Sequence, residues 1–217
     1  MTEKPKDPRT VTLKRVRLSF TDGLVEKQKT SDDPNAKAKF NFNIINEASS
    51  PTFDENNRKI VAALKAAGEK QWKNESAYKE IAEDNPKRVT FKDGSKFKNR
   101  EGKIYAGYEG NKAFSVAGPN GGQKRPKLLD RHKRDVAEGD IADVFYGGTY
   151  ADVIVSFYGT DKGSRGIFAT CELVRSHQEG EAMGGGYQFS ESDLNELDDL
   201  DGDGMDSPGG SELDDLL

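Results

Sequence analysis

GGTYADVIVSFYGTDKG, residues 147–163, alternates without a break. Ala151, Val153, Val155 and Phe157 fall on one face, and Tyr150, Asp152, Ile154, Ser156 and Tyr158 on the other. A period of two belongs to a β-strand with one face turned to the core. Gly159–Gly163 supplies a turn, after which Ile167, Ala169, Cys171 and Leu173 resume the apolar face. The sequence therefore predicts a long antiparallel hairpin with Tyr150 and Tyr158 on its outer side.

The same period appears near the start. Val16, Leu18 and Phe20 alternate with Arg15, Arg17 and Ser19, and Phe40, Phe42 and Ile44 alternate with Lys39, Asn41 and Asn43. Each of these strands sets an apolar face against a basic or amide face, and residues 22–36 between them read as a loop. The period then lengthens. Ile60, Val61, Leu64 and Ala67 recur at helical spacing up to Trp72, and a short helix over Glu75–Asp84 stops before Pro86, giving a helical insert over about residues 54–84. Strands resume at Val89–Lys92 and Ser95–Lys98. A three-residue turn, Lys92-Asp93-Gly94 with Gly94 at positive φ, keeps Val89, Phe91 and Phe97 on one side. Lys103–Tyr108 and Ala113–Val116 are further short strands, and residues 117–134 read as a Gly/Pro/basic loop. Short strands, one helical interruption and no β-α-β rhythm predict a mainly β (α+β) protein, an OB-fold-like antiparallel Greek-key barrel with a helical insert.

Charge divides the chain. The net charge of the 217 residues is −5, yet from Glu179 onward there are 13 acids and no lysine or arginine. Residues 1–178 hold 25 acids against 33 bases, a net of +8. A basic body suits a polyanionic partner, and an attached acidic tail imitates that partner. The expected organisation is a flexible arm at 1–10, a folded body at 11–178 and a disordered acidic tail at 179–217.

A run of collinear motifs resembles a family of tailed-phage proteins. They are Val16-Arg17-Leu18-Ser19-Phe20, Tyr146-Gly147-Gly148-Thr149-Tyr150-Ala151-Asp152-Val153, Phe157-Tyr158-Gly159, Gly163-Ser164-Arg165-Gly166-Ile167 and Gly180-Glu181-Ala182-Met183-Gly184-Gly185. That family, formerly a phage domain of unknown function, is grouped with the OB-fold single-stranded-DNA-binding proteins of phage replication. The resemblance spans roughly residues 11–186 and implies fold and partner. The contact residues are read from the chain itself.

Single strands are held by a cationic groove along the phosphates and by aromatic faces on which bases stack. The candidates for phosphate are Arg15, Arg17, Lys39, Lys103 and the loop residues Lys124, Arg125 and Lys127; those for stacking are Tyr105, Tyr150 and Tyr158. Against this stand a solvated strand face for the cations and a helical insert lying over the three tyrosines. Trp72 sits at helical spacing and is expected to dock on the body.

The chemistry of catalysis is not legible in the chain. His132 and His177 have no carboxylate or cysteine pattern around them, and Cys171 is the only cysteine and reads as a core residue. With no P-loop, nucleophile elbow or EF-hand pattern, neither enzymatic activity nor a metal or cofactor is expected. Met1–Pro8 carries no apolar leader, and no run long enough to span a bilayer occurs, so the expected location is the host cytoplasm, with no membrane partner.

The tail ends in Leu213-Asp214-Asp215-Leu216-Leu217. An acidic tip with leucines fits a basic-rimmed pocket on replication or recombination proteins, whereas a mere solubiliser has no need of leucines. The function expected is coating of single-stranded DNA in phage replication or recombination. Open alternatives are a duplex-tolerant or strand-annealing protein and an acidic chaperone-like interaction module. Oligomeric state is not encoded in any pattern seen.

Overall fold

The computed structural model describes residues 6–29 and 35–183. The expectations for the far tail, its tip Leu213–Leu217 included, lie outside them. Seven strands form one sheet: β1 (Thr10–Ser19), β2 (Asn41–Asn46), β3 (Lys92–Asp93), β4 (Lys112–Ala117), β5 (Lys127–Leu129), β6 (Tyr150–Thr160) and β7 (Gly166–Gln178). β1 lies between β2 and β6, β4 follows β2, and β7 follows β6, all antiparallel. β4 then meets β7 in parallel through one pair, Ala117 and Thr170. A five-stranded, partly open barrel of this connectivity is an OB-fold. β3 extends the sheet beyond β4, and β5 lies beside β7.

The alternating residues fill the barrel as the pattern requires. Val16, Leu18, Phe42, Ile44, Ala151, Val153, Val155 and Phe157 are all buried. A short helix, α1 (Asp22–Val25), falls in the expected 22–36 loop, and between β2 and β3 run α2 (Phe53–Trp72) and α3 (Ala77–Asp84), matching the expected insert. Ile60, Ala63, Leu64 and Ala67 of α2 join the same core, and Trp72 packs at its edge. Cys171 is wholly buried, and that burial pushes its thiol well above the ordinary range. No helix among the described residues is long and apolar enough to cross a membrane.

Three register shifts occur among the described residues: one leaves His177 extra between Ser176 and Gln178, and the other two break the expected alternation. In β1 the register shifts between Leu13 and Val16; Arg15 takes φ 49°, and its N–H donates to the Asp152 carboxylate. In β7 an extra residue, Glu172, falls between Cys171 and Leu173, so Val174 rather than Leu173 faces the core. The 89–98 hairpin does not form. Val89 bridges Ile167, while Lys92 and Asp93 pair with β4. Gly94 is not at positive φ; a Cβ there would stand 1.8 Å from the Tyr108 carbonyl oxygen, so what glycine supplies is room. Phe97 therefore joins a satellite cluster with Tyr108 and Ile45, away from Val89 and Phe91. Of the expected strand at 103–108 only the Ile104 bridge to Lys98 exists, and the expected 117–134 loop contains β5.

The body also extends past both expected boundaries. Asp7 accepts from Arg9, and the Arg9 carbonyl accepts from the Phe157 N–H. At the other end Tyr146 Oη donates to the Gly180 carbonyl, and the Met183 N–H donates to Gly147. Residues 179–183 thus pack against the barrel.

Candidate nucleic-acid interface

A groove of about 850 Å³ crosses the outside of β2 and β4. Its floor is polar: Asn41 and Asn43 from β2, Ser115 from β4 and Thr90 beside it. One wall comes from the β1–β2 connection, with Phe20, Lys29 and Lys39; Tyr105 stands with it. The opposite wall carries Tyr158 and Phe168 from the β6–β7 hairpin, with Lys87 and Lys92 ahead of them. Four lysines thus line the groove against one acid, Asp22, and none of the four is ion-paired among the described residues. Burial, aided by the charge of Lys87, holds the Lys92 ammonium below its usual pKa.

Phe20 and Tyr158 are the two large apolar side chains exposed among the described residues, at 46% and 38%, and both stand in this groove. Phe20 continues the inward series Val16, Leu18 in sequence, yet it points outward. The chain leaves β1 at Phe20 with φ 55°, a left-handed conformation that costs a non-glycine residue about 1 kcal/mol or more. The ring then meets Tyr105 edge to face, with centroids 4.9 Å apart. Tyr158 lies 6.3 Å from Phe168, and its partial burial raises its phenol pKa.

The expected contact residues separate into two groups. Lys39, Tyr105 and Tyr158 come together in the groove. Lys124 is exposed on a loop whose Gly122 packs against the Lys39 side chain, and Lys103 is exposed two residues from Tyr105. The others are placed elsewhere or are already engaged. The Arg17 guanidinium donates to Glu47 at 3.0 Å and to the carbonyls of Gly148 and Glu181, so its charge holds three segments together. Tyr150 is half-buried beneath Arg15 and Arg17, and its hydroxyl donates to Glu47 at 2.8 Å. Arg125 donates to the Val25 carbonyl and Glu138 and stacks 5.0 Å from Phe40. Lys127 pairs with Asp135 at 3.2 Å on β5.

His177 lies 3.5 Å from Asp152 across the hairpin. Burial works to raise the Asp152 pKa, but the Arg15 N–H and the Arg175 guanidinium outweigh it and hold the carboxylate below its usual range. Among the described residues no cluster of three or more His, Cys, Asp or Glu side chains is arranged to hold a metal ion.

Sequence reasoning passed over Phe20, Lys29, Lys87, Lys92 and Phe168. Alternation assigns Phe20 to the core, and no local signal shows that the 87–92 segment crosses to β7 and β4. The left-handed backbone at Phe20 that turns its ring outward is seen only in the structure.

Residues 9–205 match the family model described as "Enterobacter phage Enc34, ssDNA-binding protein". The chain belongs to this family. A relative, the "Putative protein p50" of Acyrthosiphon pisum secondary endosymbiont phage 1, is 30% identical over 193 residues, which are 88% of this chain and 93% of the relative. Among solved structures, the single-stranded DNA-binding protein from bacteriophage Enc34 in complex with ssDNA superposes with a TM-score of 0.63 at 16% identity. That match covers 84% of this chain and 97% of the other. Its C-terminal truncation matches with a TM-score of 0.62, over 84% and 95% of the two chains. These likenesses carry the fold, and the family carries the expectation of what the groove holds.

Proposed function

We propose that the groove over β2 and β4 binds single-stranded DNA, with phosphates on Lys29, Lys39, Lys87 and Lys92 and bases against Phe20, Tyr105, Tyr158 and Phe168. One observation carries the reading: the exposed aromatic rings share one groove with lysines that have no ion pair among the described residues. Stacking on such rings requires unpaired bases, and the sequence-tolerant contact suits a protein that coats its strand. Duplex keeps its bases inside and offers the groove only phosphates, so single strands are preferred over duplex of equal length.

The test is a titration of labelled oligo-dT at several salt concentrations. Four neutralised phosphates give a slope of log K against log salt of about −3. A flat response overturns the cationic groove.

The protein's place in phage replication or recombination follows from coating the single strands those processes expose. The acidic segment beyond Met183 competes with DNA for the basic body, since tethering holds it at high local concentration. DNA binding releases it, and the tip Leu213–Leu217 is then offered to partner proteins. Deleting residues 187–217 raises affinity at low salt. The gain shrinks above ~0.2 M salt, where the Debye length falls below ~7 Å. Equal affinities at low salt exclude the competition.

A further inference from the structure

The β6–β7 turn carries no regular structure, yet one wall of the groove depends on it. Arg88 stands between two groove residues, Lys87 and Thr90, without lining the groove itself. Its guanidinium instead reaches back to the turn. It donates to the Lys162 carbonyl at 2.8 Å, to that of Ser164 and, more loosely, to that of Arg165. The same group lies 4.9 Å from the centroid of the Phe168 ring, which faces Tyr158. A Cβ on Gly166 would come within 3.0 Å of Arg88 Nε and 2.8 Å of Phe168, so ring and guanidinium pack over bare backbone. The far side of the turn is tied to α2: Trp72 Nε1 and Gln71 Nε2 both donate to Asp161, and Arg165 lies 4.8 Å from the Trp72 ring.

We infer that Arg88 is a positioning residue, which fixes the β6–β7 turn and with it the Tyr158–Phe168 stacking wall, without contacting DNA. This rests on the groove being the single-strand site. Only a planar fork can reach several carbonyls and lie over a ring at once. Lysine keeps the charge and loses that arrangement. A phosphate contact would behave in the opposite way, because charge alone would preserve it.

The experiment compares Arg88→Lys, Arg88→Ala and Tyr158→Ala with the wild type, in the full chain, by oligo-dT titration at several salt concentrations. Trp72, the single tryptophan, reports the turn without DNA. Arg88→Lys is expected to weaken binding about 5- to 150-fold, the range of one lost stack, with an unchanged salt slope. Its free-state tryptophan emission shifts as Asp161 is released. Two results overturn the proposal. In one, Arg88→Lys binds as the wild type while Tyr158→Ala weakens binding, which leaves the groove standing. In the other, Arg88→Ala alone weakens binding and the slope falls by about 0.7, the mark of a direct phosphate contact. If neither Tyr158→Ala nor Arg88→Lys changes affinity, both readings fall.

Discussion

Two parts of the barrel carry similar residues and treat them differently. In the groove, Lys29, Lys39 and Lys87 are exposed and Lys92 is half-buried, none with an acidic partner among the described residues, beside the exposed rings of Phe20 and Tyr158. Around Tyr150, the cations Arg15 and Arg17 and the tyrosine close on Glu47, the β1 bulge and residues 148–181. The second arrangement has its hydrogen bonds and charges satisfied within the protein, so it contributes to folding. The lysines of the first hold no ion pair among the described residues, only the contact of Lys92 with the Phe97 ring, so they meet a polyanion without first breaking a salt bridge. A basic residue thus becomes a ligand-binding group by being left unpaired, and an alternation pattern cannot reveal which residues are left so.

The largest effect should come from breaking the satisfied side. Arg17→Ala leaves Glu47 without its guanidinium, both side chains being 13% exposed, and should cost about 3 kcal/mol of stability. Urea unfolding measures it, and oligo-dT affinity of the folded variant should stay near wild type. Loss of affinity at unchanged stability would reverse the assignment of the two faces.

Removing a groove ring should act the other way. Phe20→Ala and Tyr158→Ala should each weaken single-strand binding by about 1–3 kcal/mol. Stability should change by less, because both rings are already solvent-exposed. Phe20→Ala in particular keeps the left-handed φ and discards only the ring.

Single cations separate the sides more finely. Lys39→Gln should lower the magnitude of the salt slope by about 0.7, whereas Lys127→Gln, which removes a residue paired with Asp135 on β5, should leave it unchanged. Equal changes from both would mean that the strand also runs along β5.

The smallest effects are in pH. Asp152 is held below its unfolded pKa, so its contribution to stability is present above about pH 3.8 and is lost as the pH falls through the lower folded value. Asp152→Asn should abolish that part of the acid sensitivity in a chemical-unfolding series. Lys92 is displaced downward from 10.5 by burial, so groove affinity should begin to fall at a pH below the usual lysine range. Lys92→Met should remove that early decline.

The barrel was legible because its strands obey one rule over long runs: β1, β2 and the β6–β7 hairpin are each half apolar. The rule fails where one residue is inserted, as at Arg15 and Glu172, because a bulge reverses the faces and leaves no compositional mark. It fails again at 89–98, where neighbours in sequence are sent to separate clusters by the close approach of Gly94 to Tyr108. Of the site, Lys39, Tyr105 and Tyr158 were readable as polar-face residues. Arg17 and Tyr150 looked the same in sequence, and their carboxylate partner Glu47 comes from another strand's end.

The placing of β1 at the middle of the sheet has a consequence for synthesis. Its partner on one side is β6, with Thr10 opposite Ser156, and the barrel's seam needs Thr170. Contacts of such sequence separation make folding slow, since loop closure precedes the reward. A nascent chain therefore holds β1, β2 and α2 ready but open until the final hairpin has left the ribosome. On the proposal that the acidic segment competes with DNA, the body is synthesised before its competitor, because the segment lies C-terminal to it.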